Sequence, residues 1–235
     1  NVAKEPEIED LGLCLRSMGA KIQGLGTNKI LVEGVTKLKE TNYKVMFDRI
    51  EAGTYALAVA IAGGEIELIG AEKKLLTYFL NILENIGVEY IVTENSIIFK
   101  RRSNSLNPVD IITEPYPGFP TDLQAQLMAV MAISNGTSII TENIFENRFM
   151  HTPELIRMGA KIKLKGNSAI VEGVKKLKGA EVMATDLRAS VSLVLAGLAA
   201  EGTTNIDRIY HIDRGYQDIV KKLQFCGANI NKVEL

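Results

Sequence analysis

Three segments of the chain are apolar or small on nearly every side when they are drawn as helices. They are residues 49–62, 122–134 and 186–200. A helix that lacks a polar face is buried on most sides, and small side chains let neighbouring helices approach closely. The pattern therefore predicts three buried helices at the centre of the fold.

Short strand-like segments flank each of these helices. One precedes each helix, at residues 43–46, 110–113 and 181–184, and a second follows it after a glycine, at residues 65–69, 137–141 and 203–208. A second helix comes next. In residues 72–86 the apolar side chains repeat at helical spacing, with lysines, Asn81 and Glu84 on the other side, which predicts a helix with one buried face.

A repeat organises these elements. The same short pattern surrounds Gly19, Gly87, Gly159 and Gly227, which are 68, 72 and 68 residues apart. Each glycine follows a helix, where a left-handed C-terminal cap favours glycine, and strand pairs such as 161–164 and 169–172 come after it. The predicted unit is βαβαββ, about 70 residues long. We expect an α/β fold in which sheets surround the three buried helices and the amphipathic helices lie further out.

Both ends of the chain depart from this unit. Residues 1–46 supply only a helix and a strand pair, and residues 229–235 supply one strand where two are expected. We therefore expect this chain to be part of a longer protein.

Composition excludes several classes of protein. The 235 residues include 27 Lys and Arg against 28 Asp and Glu, a formal net charge of -1, whereas a protein that binds nucleic acid broadly must neutralise many phosphates. No continuous apolar run reaches the roughly 20 residues that a bilayer requires, and no signal segment opens the chain. Cys14 and Cys226 are too few for a disulfide framework, so we expect a reducing, cytoplasmic location and packed thiols.

An aspartate opens each predicted central helix: Asp48, Asp122 and Asp186. Such residues commonly cap helices and complement the helix dipole. Asp122 differs because Thr121 can serve as the cap, and because a proline-rich loop, residues 115–121, presents it. A carboxylate on a stiff loop suits a general base.

Arginines occupy corresponding junctions between strands and helices. Arg148, Arg188 and Arg214 each lie near the start of a helix. Exposed arginines usually contribute little, yet three guanidinium groups at one rim would bind a small anion that carries carboxylate and phosphate groups. His151 and His211 are the only histidines, and no grouping has the spacing of metal ligands, so we expect neither a metal nor a cofactor.

Five long stretches resemble the enolpyruvyl transferases, in the branch that acts on a sugar nucleotide. They are NVAKEPEI (residues 1–8), FPTDLQAQ (119–126), ENIFENRFMH (142–151), VMATDLRAS (182–190) and DRIYHIDRGY (207–216). The resemblance covers the whole chain but only about half of the family's length. It implies an inside-out α/β barrel at residues 47–235, with residues 1–46 closing the other domain.

The resemblance also implies a reaction. The family transfers the enolpyruvyl group of phosphoenolpyruvate to the 3-hydroxyl of UDP-N-acetylglucosamine, the first committed step of peptidoglycan synthesis. Asp122 matches the aspartate that binds this hydroxyl and is the leading general base. The other matching positions are Arg148 and Arg214 at phosphoenolpyruvate, Asp186, Leu187 and Arg188 near the reacting centre, Ile144 at the sugar nucleotide, and Glu5 near the cleft.

One departure from the family limits this assignment. The family's reactive cysteine and its essential lysine and arginine lie in the half that this chain does not match, and neither Cys14 nor Cys226 corresponds to that cysteine. The chain alone is therefore expected to be inactive and to need the missing half as its partner. Two alternatives stay open: the branch of the family that acts on 3-phosphoshikimate, and a binding domain without activity.

Overall fold

Residues 1–46 form a helix and a hairpin, as predicted. The structure is a computed structural model, and it describes residues 1–101 and 103–233. The elements are α1 (Pro6–Ser17), β1 (Lys21–Gln23) and β2 (Leu31–Glu33), the two strands pairing antiparallel. Arg49 donates to the Glu7 carboxylate at 2.8 and 3.2 Å, which fastens α1 to the start of the next helix. The division of the chain at residues 46 and 47 stays a prediction.

The next unit is a helix–strand–helix–strand–strand segment. Its elements are α2 (Arg49–Ala62), β3 (Gly64–Ile69), α3 (Lys73–Ile86), β4 (Val88–Val92) and β5 (Ser96–Arg101). The three strands form an antiparallel sheet in the order β3-β5-β4. The strand predicted at residues 43–46 is wrong. The Met46 amide donates to the Asp10 carboxylate of α1, so a side chain and not a neighbouring strand bonds the backbone there, and the Tyr43 hydroxyl donates to the same carboxylate.

The following unit confirms the complete βαβαββ pattern. A 3-10 turn at Thr121–Leu123 leads into its first helix, and its elements are β6 (Ile111–Ile112), α4 (Gln124–Met131), β7 (Thr137–Thr141), α5 (Thr152–Arg157), β8 (Lys161–Lys165) and β9 (Ser168–Glu172). The sheet order is β6-β7-β9-β8, with β6 and β7 parallel. The helix predicted at residues 122–134 is shorter, because the Ser134 hydroxyl bonds the Met131 carbonyl and Gly173 packs against the Ser134 backbone.

Within the described residues, the last unit keeps the helices but has fewer strands. Its elements are β10 (Glu181–Met183), α6 (Leu187–Ala199), β11 (Asn205–Asp207), α7 (Tyr210–Asp213) and α8 (Ile219–Phe225), with β10 and β11 parallel. The strand predicted at residues 229–235 is wrong for residues 229–233, and its last two residues lie outside the described part. The Gln224 amide of α8 donates to the Ile230 carbonyl, so a side chain bonds this backbone.

The three predicted central helices form the core. Helices α2, α4 and α6 contact one another, and all eight residues of α4 are buried. Residues 189–196 of α6 are buried without interruption, as its all-round apolar sequence requires. Helix α3 buries one face through Leu76, Phe79, Leu80, Leu83 and Ile86, which confirms its predicted amphipathic character. None of the helices in the described ranges is long and apolar enough to cross a bilayer.

The repeated glycines occupy left-handed backbone positions. Gly19, Gly87, Gly159 and Gly227 have φ angles of 98°, 104°, 94° and 92°. A Cβ at Gly19, Gly159 or Gly227 would meet no atom within 4 Å, so the backbone conformation, and not a lack of space, explains the glycine. The glycines of the predicted repeat therefore share one structural feature, a left-handed backbone position that follows a helix.

Candidate functional site

The Asp122 carboxylate lies between two arginines. Arg148 Nη2 donates to Oδ1 at 2.6 Å, and Arg188 Nη2 donates to Oδ2 at 3.3 Å. The exposed fractions of the three side chains are 36%, 25% and 17%, so the cluster reaches the surface while its cations are largely covered. One carboxylate against two guanidinium groups leaves an excess positive charge, which favours an anionic ligand.

Thr121 joins Asp122 to the loop that follows β7. Its hydroxyl donates to Glu142 Oε2 at 2.8 Å and accepts from Arg148 Nη1 at 2.6 Å. Thr121 makes no side-chain bond to the helix, so the prediction that it serves as the cap is wrong. Asp122 makes two ion pairs, and its role in a reaction stays a prediction.

Glu142 organises the loop that carries Arg148. It is only 3% exposed, and its carboxylate accepts from the Thr113 and Thr121 hydroxyls and from the amides of Ile144 and Phe145. The Arg148 guanidinium lies 4.8 Å from the centre of the Phe145 ring, which supports it from another side.

Two groups hold Arg188: Asp186 bonds its backbone at the start of α6, and the buried Tyr216 bonds its side chain. The Asp186 carboxylate accepts from the amides of Arg188 and Ala189, both at 2.9 Å, so Asp186 caps the helix. Asp48 caps α2 in the same way. Arg188 Nη1 donates to the Tyr216 hydroxyl at 3.2 Å. Burial opposes the charge of Arg188, but the Tyr216 oxygen and the Asp122 carboxylate outweigh it and raise the pKa of the guanidinium above its usual value.

Arg214 stands apart from this ion-pair cluster. It is exposed, and within the described residues no hydrogen bond or ion pair holds it. Its neighbour Gly215 packs against Leu187, the residue before Arg188, since a Cβ at Gly215 would lie 2.6 Å from the Leu187 side chain. The chain thus passes close to the cluster at Arg214 without joining it.

A cleft of about 700 Å³ opens beside Asp122. Glu5 and Ile144, two further residues predicted for the site, line it. Glu5 Oε1 accepts from the Tyr116 amide at 3.3 Å, while Oε2 is buried and has no hydrogen-bond partner in the described part of the chain. Ile144 is 36% exposed, and its amide is already bonded to Glu142.

His151 is buried behind the cluster. Its side chain is 1% exposed, and burial, opposed by Asp186 and assisted by Arg148, lowers its pKa to about 4. The imidazole is therefore neutral near pH 7. Nowhere in the described ranges do three His, Cys, Asp or Glu side chains group as metal ligands. Both cysteines are free, and Cys226 is exposed, so the expectation of a packed thiol is wrong for Cys226.

Sequence reasoning missed the residues that hold the arginines. Tyr216 accepts a hydrogen bond from Arg188 directly. Glu142 acts on Arg148 through Thr121, whose hydroxyl bonds both side chains. Neither Glu142 nor Tyr216 stands at a helix start. A signal was available in Thr54 and Gln126, two polar residues of helices α2 and α4, whose other residues are mostly apolar or small. A buried polar side chain needs a partner, and both bond Tyr216.

Residues 1–223 match the family model for EPSP synthase, described as 3-phosphoshikimate 1-carboxyvinyltransferase. The chain belongs to the EPSP synthase family. Two curated proteins that are similar to this chain are named UDP-N-acetylglucosamine 1-carboxyvinyltransferase, from Chelativorans sp. (strain BNC1) and Agrobacterium fabrum (strain C58 / ATCC 33970). Each is 57% identical over 233 residues, which are 99% of this chain and 54% of the relative.

Solved structures of EPSP synthase family proteins share the fold. The enolpyruvyl transferase NikO from Streptomyces tendae superposes with a TM-score of 0.86 at 28% identity, over 97% of this chain and 54% of that one. EPSP synthase from Acinetobacter baumannii has a TM-score of 0.70 at 21% identity, over 94% and 54% of the two chains, and supports the fold alone. The predicted enolpyruvyl transferase fold is confirmed, and the chain spans about half the length of the relatives it matches.

Proposed function

We propose that this chain is the C-terminal part of a transferase that moves the enolpyruvyl group of phosphoenolpyruvate to the 3-hydroxyl of UDP-N-acetylglucosamine, at the start of peptidoglycan synthesis. The names of the curated relatives support the two substrates. The observation that carries the proposal is the Asp122 carboxylate, bonded by Arg148 and Arg188 beside a cleft of about 700 Å³.

Asp122 acts in this proposal as the general base for the acceptor hydroxyl. Each carboxylate oxygen accepts one guanidinium bond and has a second lone-pair position for a hydroxyl proton. The hydroxyl oxygen bonds C2 of phosphoenolpyruvate, its proton passes to Asp122, and C3 gains a proton from solvent water. Elimination then breaks the bond from C2 to the phosphate oxygen and returns a proton from C3 to solvent, which releases inorganic phosphate.

The arginines neutralise the anionic substrate. Arg148 and Arg188 are the covered cations of the cluster, and charge-assisted bonds from guanidinium groups suit carboxylate and phosphate oxygens. We assign Arg214 to the phosphate of phosphoenolpyruvate for two reasons. Its exposed side chain stands next to Gly215, which contacts Leu187 at the start of α6, and it has no competing partner in the described chain. Glu5 and Ile144 face the sugar nucleotide from the cleft wall, with Asp186 and Leu187 at the α6 terminus.

The remaining half of the site belongs to a partner segment. The cleft is open to solvent, and water would compete there with the acceptor hydroxyl. We infer that a segment like the unmatched part of the relatives closes the cleft and completes catalysis. A cytoplasmic location accompanies this proposal, which the two unpaired cysteines support.

Reconstitution tests the function. The chain is assayed for phosphate release with both substrates, alone and with the unmatched part of the Chelativorans relative supplied. We expect no turnover from the chain alone and turnover from the mixture. In the mixture, Asp122→Asn should lower kcat by about 10²- to 10⁴-fold, the usual contribution of a general base. Full turnover by the chain alone, or an Asp122→Asn mixture as fast as the parent, contradicts the proposal.

The same assay should be run with a second acceptor, because the matching family model is described as 3-phosphoshikimate 1-carboxyvinyltransferase. Each reconstituted sample is offered 3-phosphoshikimate in place of the sugar nucleotide. Turnover with that acceptor alone would replace the proposed substrate. Binding of both substrates without turnover would favour the binding domain without activity.

A further inference from the structure

A fully buried polar cluster joins the three core helices beneath Arg188. Tyr216 and Gln126 are 0% exposed and Thr54 is 2% exposed. The Tyr216 hydroxyl lies 2.9 Å from Thr54 Oγ1 and 3.3 Å from Gln126 Nε2, and Gln126 Nε2 lies 3.2 Å from Thr54 Oγ1. Thr54 belongs to α2 and Gln126 to α4, while Arg188 on α6 donates to the same hydroxyl.

The donors and acceptors of this cluster have one consistent arrangement. Thr54 Oγ1 donates its hydrogen to the Ile50 carbonyl at 2.9 Å, so the Tyr216 hydroxyl must donate to Thr54. The Tyr216 oxygen then accepts from Arg188 Nη1 and from the Gln126 Nε2 hydrogen that it shares with Thr54 Oγ1, because the other hydrogen of that amide goes to the Asp122 carbonyl. Every hydrogen-bonding position of the Tyr216 hydroxyl is used, so its orientation is fixed.

This fixed hydroxyl determines where the Arg188 guanidinium can lie. Arg188 Nη1 bonds Tyr216 and its Nη2 bonds Asp122, so the two contacts define the plane of a rigid group. The Tyr216 ring lies under the guanidinium, 5.6 Å from Arg188 Cζ to the ring centre. Burial keeps the phenol protonated, since it raises the pKa of Tyr216 above its usual value.

We propose that Tyr216 is a positioning residue for the transferase reaction, and that its hydroxyl, oriented by Thr54 and Gln126, aims Arg188 at Asp122. This inference rests on the proposed function. Tyr216 itself reaches neither the cleft nor a substrate, because its side chain is fully buried. Its effect on the reaction passes through Arg188.

Tyr216→Phe in the reconstituted enzyme is the direct test. The substitution keeps the ring and removes one hydrogen bond to a charged group, so we expect kcat to fall about 10- to 100-fold, with a smaller change in KM. Tyr55→Phe is the matched control. Tyr55 is also buried and lies beside Thr54 in the chain, but its hydroxyl has no hydrogen-bond partner among the described residues, so its removal should leave kcat within about twofold. Equal activity of Tyr216→Phe and Tyr55→Phe overturns the proposal.

Thr54 offers a second, milder test. Thr54→Val removes the acceptor of the Tyr216 hydrogen, whereas Thr54→Ser retains it. We expect Thr54→Val to lower kcat several-fold and Thr54→Ser to restore most of the parent rate. A merely structural role for Tyr216 would give no such rescue, and equal rates for the two variants contradict the proposal.

A crystal structure of the Tyr216→Phe protein separates this proposal from the proposed function. We expect the Arg188 guanidinium to leave Asp122, with the distance from Nη2 to Oδ2 rising beyond hydrogen-bond range. An unchanged Arg188 would overturn the positioning role whatever the activity. A parent sample that fails to transfer the enolpyruvyl group to either acceptor would overturn the proposed function, while the displacement of Arg188 would still support the positioning role.

Discussion

At the scale of single residues, the aspartates at corresponding helix starts have different tasks. Asp48 and Asp186 each accept two amide bonds at the start of a helix, whereas Asp122 makes its bonds to two arginines. The same residue type at equivalent positions of a repeat thus serves capping twice and a charged site once.

Asp186 and Asp48 form a matched pair for separating capping from activity. Replacing either by Ala should lower the free energy of unfolding by about 0.5–2 kcal/mol, the usual loss of an N-terminal cap. If Asp186 also lies at the reacting centre, only Asp186→Ala should lower kcat/KM in the reconstituted enzyme, by about tenfold or more. Urea unfolding and initial rates measure the two effects. Equal rates for the two variants would mean that Asp186 is a cap alone.

His151 gives the fold a calculable response to acid. Its pKa is about 4 when folded against 6.5 for the free side chain, so the unfolded chain binds the proton first as the pH falls. The contribution of the neutral, buried His151 to the free energy of unfolding is complete above pH 6.5 and is lost between pH 6.5 and about 4. From pH 7.5 to 5 the parent should lose about 2 kcal/mol more than His151→Gln in urea unfolding. Identical losses would show that His151 titrates normally.

At the scale of elements, the glycine that ends α3 is required for its backbone conformation. Gly87 has φ 104° and ψ 24°, in the left-handed region, and its amide closes the helix through the Leu83 and Glu84 carbonyls. Gly87→Ala should cost about 1–2 kcal/mol of unfolding free energy. Gly34→Ala is the control, because that glycine has open space and no left-handed backbone. Equal stability of the two variants would refute a conformational cause.

At the scale of the whole molecule, the units differ in how many strands their sheets contain. The sheet with β7 has four strands, and β7 pairs on both sides, whereas in the described residues β11 pairs only with β10. An unpaired strand edge promotes association between chains. We expect the chain alone to associate at micromolar concentration, and the supplied partner segment to reduce this. Sedimentation velocity measures both, and a strictly monomeric chain would contradict the expectation.

Predictions from the sequence succeeded where a pattern depends on neighbours along the chain. The helix at residues 49–62 was predicted with its observed ends, and the strand at 137–141 likewise. The strands predicted at 43–46 and 229–233 are wrong. The Asp10 side chain bonds the Met46 amide and the Gln224 side chain bonds the Ile230 carbonyl, and local strand propensity does not include such contacts.

The sequence by itself determined the repeat, the three buried helices, the glycine terminations and the family. The first three follow from hydrophobic periodicity and backbone preference, which act within a few residues, and the family follows from the five stretches that resemble it. Only the tertiary structure decided which side chains meet. Asp122 is 26 residues from Arg148 and 66 from Arg188, and Tyr216 is 162 residues from Thr54. Such contacts depend on how the three core helices pack, and therefore Glu142 and Tyr216 became visible only in the folded chain.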